Sequence, residues 1–140
     1  MKIHQYLSFI IVVLVLAVGC TSSVEAPCSL EFRSYNITVL THSGELADSV
    51  DISITVGESD ESIDPCTELR GENCNQEGEE GFYIIFHDGF KDKIAKGENV
   101  TVTVTGVSGD ARFSEQYVFT NDGCHIRKVA GPDTVTLEAS

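Results

Sequence analysis

The chain has 140 residues, which is enough for one domain but leaves no room for a two-domain enzyme. Its 22 Asp and Glu residues outnumber its 9 Lys and Arg residues, so the formal net charge is −13. This balance argues against binding to nucleic acid through phosphate neutralisation, and it opposes electrostatic approach to an anionic lipid surface. Because 41% of the residues are hydrophobic, the chain is also too apolar for a disordered acidic tail.

The N-terminal segment predicts export. Residues 9–18 form an unbroken apolar run, and as a helix they would rise only about 15 Å, half the thickness of a membrane core. That length is typical of a signal peptide and too short for a membrane span. Two other interpretations are an ordinary secretory signal, in which the following Cys20 has no role in anchoring, and a buried apolar strand at the N-terminus.

Residues 16–20, with the sequence LAVGC, resemble the lipobox of bacterial lipoproteins. The resemblance implies cleavage before Cys20 and acylation of Cys20, for instance with palmitate. It divides the chain into a signal peptide (1–19), a lipidated tether (20–28) and a domain (29–140). It also implies a lipid-anchored position in the cell envelope. Since Thr21 stands where the inner-membrane retention signal has Asp, the outer membrane is favoured if the host has one.

Four cysteines remain after Cys20. An even number in an exported domain predicts two disulfides, for which three connectivities exist. We favour Cys66–Cys74, the near pair, together with Cys28–Cys124, which would join the two ends of the domain. A zinc site is disfavoured because the chain has no C-x-x-C pair, and no metal or other cofactor is predicted.

From residue 30 onward the apolar residues repeat with a period of two, which predicts β-strands. Residues 100–105 alternate without interruption, as do residues 35–39 and 50–56. Leu30 and Phe32 fall on the opposite phase to the first strand, which indicates a bulge or a bend near Arg33 and Ser34. Residues 82–86 are continuously apolar, which predicts a strand buried on both faces.

Further strand signals follow towards the C-terminus. They cover residues 113–119, 126–129 and 135–137, and a short helical turn is expected around residues 92–96. Turn sequences rich in Gly, Asp and Ser separate the strands. About seven short strands in some 110 residues predict an all-β fold, an antiparallel β-sandwich.

The strand pattern resembles the carboxypeptidase regulatory-like domain, a transthyretin-type β-sandwich. Its opening hairpin corresponds to residues 35–39, a turn at residues 43–45 and residues 50–54. Its closing part corresponds to residues 100–104, 117–119, 122–126 and 135–137. The resemblance implies an accessory or binding module.

Catalytic signals in the sequence are few. A Ser–His–Asp triad is compatible with the composition, but no G-x-S-x-G nucleophile elbow is present. The histidines His42, His87 and His125 are interpreted as single polar residues at strand ends or turns. No phosphate-binding or dinucleotide-binding glycine motif occurs.

The main surface signal is an acidic stretch, residues 58–80, which is the longest interval between predicted strands. Seven of its carboxylates flank the Cys66–Cys74 loop, and they are Glu58, Asp60, Glu61, Asp64, Glu77, Glu79 and Glu80. Clustered carboxylates suit calcium, for which Asp60, Glu61, Asp64, Glu79 and Glu80 are weak candidates, although the EF-hand pattern is absent. A solvated acidic loop is the simpler interpretation.

The sequence therefore predicts a lipid-anchored, non-catalytic binding or accessory module of the cell envelope. Its partners would be the membrane, through the lipid, and a cationic protein surface or calcium at the acidic stretch. The alternative is a small exported hydrolase or metal-dependent enzyme.

Overall fold

The computed structural model describes residues 27–67, 69 and 81–139. Cys20 and the predicted signal peptide lie outside the described residues, as does most of residues 68–80. The described part contains eight strands and one 3₁₀ helix. In chain order these are β1 (Ser34–Leu40), β2 (Asp51–Val56), β3 (Phe82–His87), the 3₁₀ helix (Asp88–Lys93), β4 (Asn99–Ser108), β5 (Ala111–Asn121), β6 (Ile126–Ala130), β7 (Thr134–Thr136) and β8 (Glu138–Ala139). None of the helical residues described here forms a segment long and apolar enough to cross a membrane.

The strands form two sheets that enclose one apolar core. One sheet has the order β3-β1-β7, and the other has the order β2-β4-β5-β6, with β8 paired to β5. The core draws Ile37 and Val39 from the first sheet and Val102, Val104 and Phe119 from the second, all of them buried. The all-β sandwich is thus confirmed, with one pair, β1 and β7, running parallel.

The first two strands do not form the hairpin that the family resemblance implied. β1 pairs with β3 and β7, whereas β2 pairs with β4 in the other sheet. Only Leu40 and Leu46 form an isolated bridge in the connection. The expectation was wrong because the partners of β1 come from later in the chain, which a local strand–turn–strand pattern does not reveal.

A bulge in β3 accounts for its continuous apolar run. Contrary to the prediction from the sequence, the strand is not buried on both faces. Tyr35 pairs with Phe86 and Asn36 pairs with Ile84, so Ile85 is an extra residue in the ladder. The bulge changes the phase, and Ile85 and Phe86 are therefore both buried. At the start of the strand Phe82 remains 43% exposed.

β4 and β5 form the longest ladder, with ten residue pairs from Asn99↔Thr120 to Ser108↔Ala111. A two-residue turn joins them, and its first residue, Gly109, has a φ of +59°. A hairpin this tight requires such a conformation, which glycine adopts without steric cost. Gly106 is needed for a different reason, because a Cβ there would clash with the ring of Phe113.

The two ends of the sandwich differ in how they are closed. The tether end contains Cys28, the start of β1, the 3₁₀ helix and the start of β6. The distal end contains the turn after β1 and the turn between β4 and β5. Leu30 and Phe32 precede β1 and are exposed, so they do not extend the buried face of the first strand. The register shift opposite Tyr35 and Asn36 is the β3 bulge at Ile85.

Candidate functional site

The 3₁₀ helix directly follows β3 and places Asp88 at the tether end. His87 is extended and caps the helix, because its Nδ1 accepts a hydrogen bond from the Gly89 N–H at 3.0 Å. Its Nε2 therefore carries the proton and donates to the Pro65 carbonyl at 2.8 Å. The helix lies four residues earlier than the predicted turn at residues 92–96, and this position matters because it delivers Asp88.

The Asp88 carboxylate joins three separate segments of the chain. Its Oδ2 accepts from the Arg33 N–H at 2.9 Å, and its Oδ1 accepts from the Ile126 N–H at 2.8 Å. Burial by itself raises the pKa of the Asp88 carboxyl, but the hydrogen bonds from Ile126, His125 and Arg33 outweigh it and hold the pKa below its ordinary value. Asp88 is thus a carboxylate at neutral pH.

His125 is hydrogen-bonded through both ring nitrogens. Its Nδ1 lies 2.8 Å from Asp88 Oδ2, and its Nε2 lies 2.8 Å from the Oγ of Ser29. Its backbone N–H donates to Asp122 Oδ1 at 2.8 Å, and the Cys124 N–H donates to the same oxygen at 2.9 Å. These two backbone bonds lower the pKa of the Asp122 carboxyl. The ring of His125 is therefore fixed from several directions.

The predicted Cys28–Cys124 disulfide is present and lies beside this network. Ser29 and His125 each directly follow one of the bridged cysteines, so the covalent bond brings the two side chains together across 96 residues of sequence. Cys66 is also in a disulfide. Its predicted partner, Cys74, lies outside the described residues.

Ser29, His125 and Asp88 stand in the order and atom connectivity of a serine nucleophile, a base and an orienting carboxylate. The composition is compatible with such a triad, but the sequence does not identify its members. One signal could have found two of them: the predicted Cys28–Cys124 pairing places the following residues, Ser29 and His125, side by side. Asp88 had no signal in the sequence beyond an Asp-Gly turn.

The first half of the acidic stretch is exposed and partly tied to the fold. Glu58, Asp60, Glu61 and Asp64 are all exposed. Asp64 accepts a hydrogen bond from the Cys66 N–H at 2.8 Å, and Ile63 bridges to Ile54 of β2. Glu77, Glu79 and Glu80 lie outside the described residues. Among the residues with described positions, no three His, Cys, Asp or Glu side chains are grouped so that they could hold a metal ion.

An open cleft at the distal end is the other concave feature of interest. It has a volume of about 470 Å³ and is lined mainly by β5, with Arg112, Glu115 and Glu138 as its charged members. The hydroxyl side chains of Ser114 and Thr136 also line it.

Comparison with protein-family models, with curated proteins and with solved structures finds no match for the chain. The resemblances to lipoproteins and to the carboxypeptidase regulatory-like domain therefore stay predictions.

Proposed function

We propose that the chain is a lipid-anchored β-sandwich module of the cell envelope, attached through Cys20. The observation that supports this most directly is the Cys28–Cys124 disulfide, which closes the domain where the tether would begin. Disulfides persist in oxidising compartments outside the cytoplasm. A covalent bond at this point would also pass any pull on the tether directly to the start of β6.

The length of the tether sets the arrangement at the membrane. Residues 21–27 can span at most about 25 Å when fully extended. Under this proposal the tether end stays close to the membrane and the distal end points away from it. The proposal concerns anchoring and binding, and it does not depend on an absence of catalysis at Ser29.

Metabolic labelling with a fatty-acid analogue tests the anchor. The wild-type chain should carry the label and fractionate with membranes, whereas Cys20→Ser should do neither. Ser22→Ala, in the tether but outside the lipobox, is the matched control and should behave like the wild type. Labelling of Cys20→Ser, or no labelling of the wild type, would refute the anchor.

For the binding partner we propose a cationic protein surface at the acidic stretch. The exposed carboxylates of Glu58, Asp60 and Glu61 support this, since exposed charges attract a basic partner in a salt-dependent way. Asp64 is less suitable, because its carboxylate already accepts the Cys66 N–H.

Affinity capture from envelope extracts tests the partner with variants of equal charge. One variant carries Glu58→Gln, Asp60→Asn and Glu61→Gln, and it should lose the partner. The control neutralises three exposed acids near the distal end, Glu45, Asp48 and Asp51, and should retain it. Equal capture by both variants would exclude the acidic stretch. Calorimetry with Ca²⁺ shows separately whether the stretch takes the ion.

A further inference from the structure

We propose that Ser29 is a nucleophile activated by His125 and Asp88, and that the tether end hydrolyses acyl esters. Two distances connect these side chains, and both are 2.8 Å. They join Ser29 Oγ to His125 Nε2, and His125 Nδ1 to Asp88 Oδ2. Each lies in the range that general-base activation of a hydroxyl requires. This inference goes beyond the anchored module proposed above.

The hydrogen bonds also determine which ring nitrogen is the base. Asp88 is held as a carboxylate, which only accepts hydrogen bonds, so His125 Nδ1 carries the proton and donates it to Asp88. In the neutral imidazole, Nε2 is then the acceptor, and the Ser29 hydroxyl is the donor. This is the tautomer in which a histidine removes the proton of a serine as it attacks.

The nucleophile and its base differ in burial, because a nucleophile must be accessible to the substrate and its base must be shielded from water. Ser29 is exposed and open to a substrate. The side chains of His125 and Asp88 are only 7% and 11% exposed, which shields the base and its carboxylate from competing water.

A purely structural role does not require Ser29. His125 is already fixed by Asp88 at its ring and by Asp122 at its backbone N–H, and the disulfide already fastens the preceding segment. The exposed hydroxyl adds little to stability, but it completes the nucleophile. Asp88 of the 3₁₀ helix and Asp122 of the turn before β6 both interact electrostatically with His125, and Arg33 before β1 interacts in the same way with Asp122.

The reaction balances with water as the only co-reactant. Ser29 Oγ bonds to the carbonyl carbon of the ester while its proton passes to His125 Nε2. The C–O bond to the alcohol then breaks, and the alcohol leaves with that proton. Water adds to the acyl-serine with His125 again as the base, and the acid is released as Ser29 regains its proton. Under the proposed anchoring, the substrates would be acyl esters within reach of the membrane.

The test uses the exported, oxidised full chain and a fluorophosphonate probe, which forms a P–O bond with an activated serine and releases fluoride. Mass mapping of the wild type should place the adduct on Ser29. Ser29→Ala should abolish labelling at this peptide, and Ser43→Ala, which removes an exposed hydroxyl at the distal end, should leave it unchanged. His125→Gln should lower the labelling rate of Ser29 at least ~100-fold, the lower range of general-base catalysis.

The pH profile separates a base from a structural contact and does not depend on any variant folding. With a side chain of the protein as the general base, the wild-type labelling rate should rise with pH and then reach a plateau. Attack driven by hydroxide would instead keep rising about tenfold per pH unit. Absence of the Ser29 adduct in the wild type, equal labelling of folded His125→Gln, or a profile without a plateau would each overturn the proposal. Hydrolysis of p-nitrophenyl acetate by the wild type but not by Ser29→Ala would show that the activated serine also turns over an ester.

Discussion

The tether end and the distal end of the sandwich close the same core by different means. At the tether end, Asp88 and the Cys28–Cys124 disulfide join segments that are far apart in the sequence. At the distal end, the contacts are local: Thr41 Oγ1 lies 2.8 Å from Ser43 Oγ, and Gly109 forms a two-residue turn. A long-range disulfide restricts the unfolded chain, and long-range hydrogen bonds connect distant segments of the folded chain. Local turns have both effects to a smaller degree. We therefore expect the stability of the domain to depend more on the tether end.

The largest expected effect comes from the disulfide. The double variant Cys28→Ser, Cys124→Ser should lower the free energy of unfolding by about 4 kcal/mol, because closing so long a loop removes much entropy from the unfolded chain. Urea unfolding at pH 7 measures it. A loss below about 1 kcal/mol would show that the covalent bond does not distinguish the two ends.

The next effect comes from the carboxylate of Asp88. Asp88→Asn should cost about 2–3 kcal/mol at pH 7, since an amide cannot accept from all three donors, the N–H groups of Arg33 and Ile126 and His125 Nδ1. Asp92→Asn, an exposed acid on the same helix, is the control and should change the free energy of unfolding by less than about 0.5 kcal/mol.

The Asp88 effect should depend on pH with a definite sign. The folded-state pKa of Asp88 lies below the ordinary value of 3.8, so its contribution is fully present above that value. It should disappear as the pH falls from about 4 through the lower folded-state pKa. Unfolding curves of the wild type and Asp88→Asn should therefore converge in acid. A difference that stays constant down to pH 2 would contradict the assignment.

A smaller effect is expected at the hairpin turn of the distal end. Gly109→Ala should lower the free energy of unfolding by about 1 kcal/mol, because an L-residue with a φ of +59° is strained. Thermal unfolding measures it. If Gly109→Ala costs more than Asp88→Asn, the proposed ranking of the two ends is wrong.

The smallest effect is expected at the turn after β1. Ser43→Ala removes exposed hydrogen bonds to Thr41 and Glu45 and should change the free energy of unfolding by less than about 0.5 kcal/mol. Hydrogen exchange provides a second reading, in which the amides of residues 41–45 should exchange faster than those of Ile126 and Arg33. Equal protection would remove the contrast between the ends.

The fold could be predicted where the apolar pattern is strict. Residues 100–105 alternate in β-branched residues, and they lie within β4, with Val102 and Val104 fully buried. The pattern failed where pairing changes the phase: the run in residues 82–86 reflects a bulge at Ile85, which depends on the register against β1. A continuous apolar run has the same appearance whether a strand is central or bulged at an edge.

The candidate site was less predictable than the fold. The Cys28–Cys124 pair followed from the cysteine count and from the favoured connectivity of the four. The base and its carboxylate did not, because Ser29, Asp88 and His125 are separated by 59 and 37 positions and carry no fixed spacing. Only the packing of the 3₁₀ helix against the start of β6 brings Asp88 to His125.

By itself, the sequence determined most of the strand-forming segments and the turns, because these depend on local periodicity and glycine conformation. It favoured the Cys28–Cys124 pairing but did not select it from the three possible connectivities. The tertiary structure decided three further features: which sheet each strand joins, where the β3 bulge falls, and which polar side chains meet. These depend on contacts between segments distant in the chain. A strand with a given local pattern can satisfy its backbone hydrogen bonds by pairing with any of several other strands. Only the packing of the whole core selects one of these pairings.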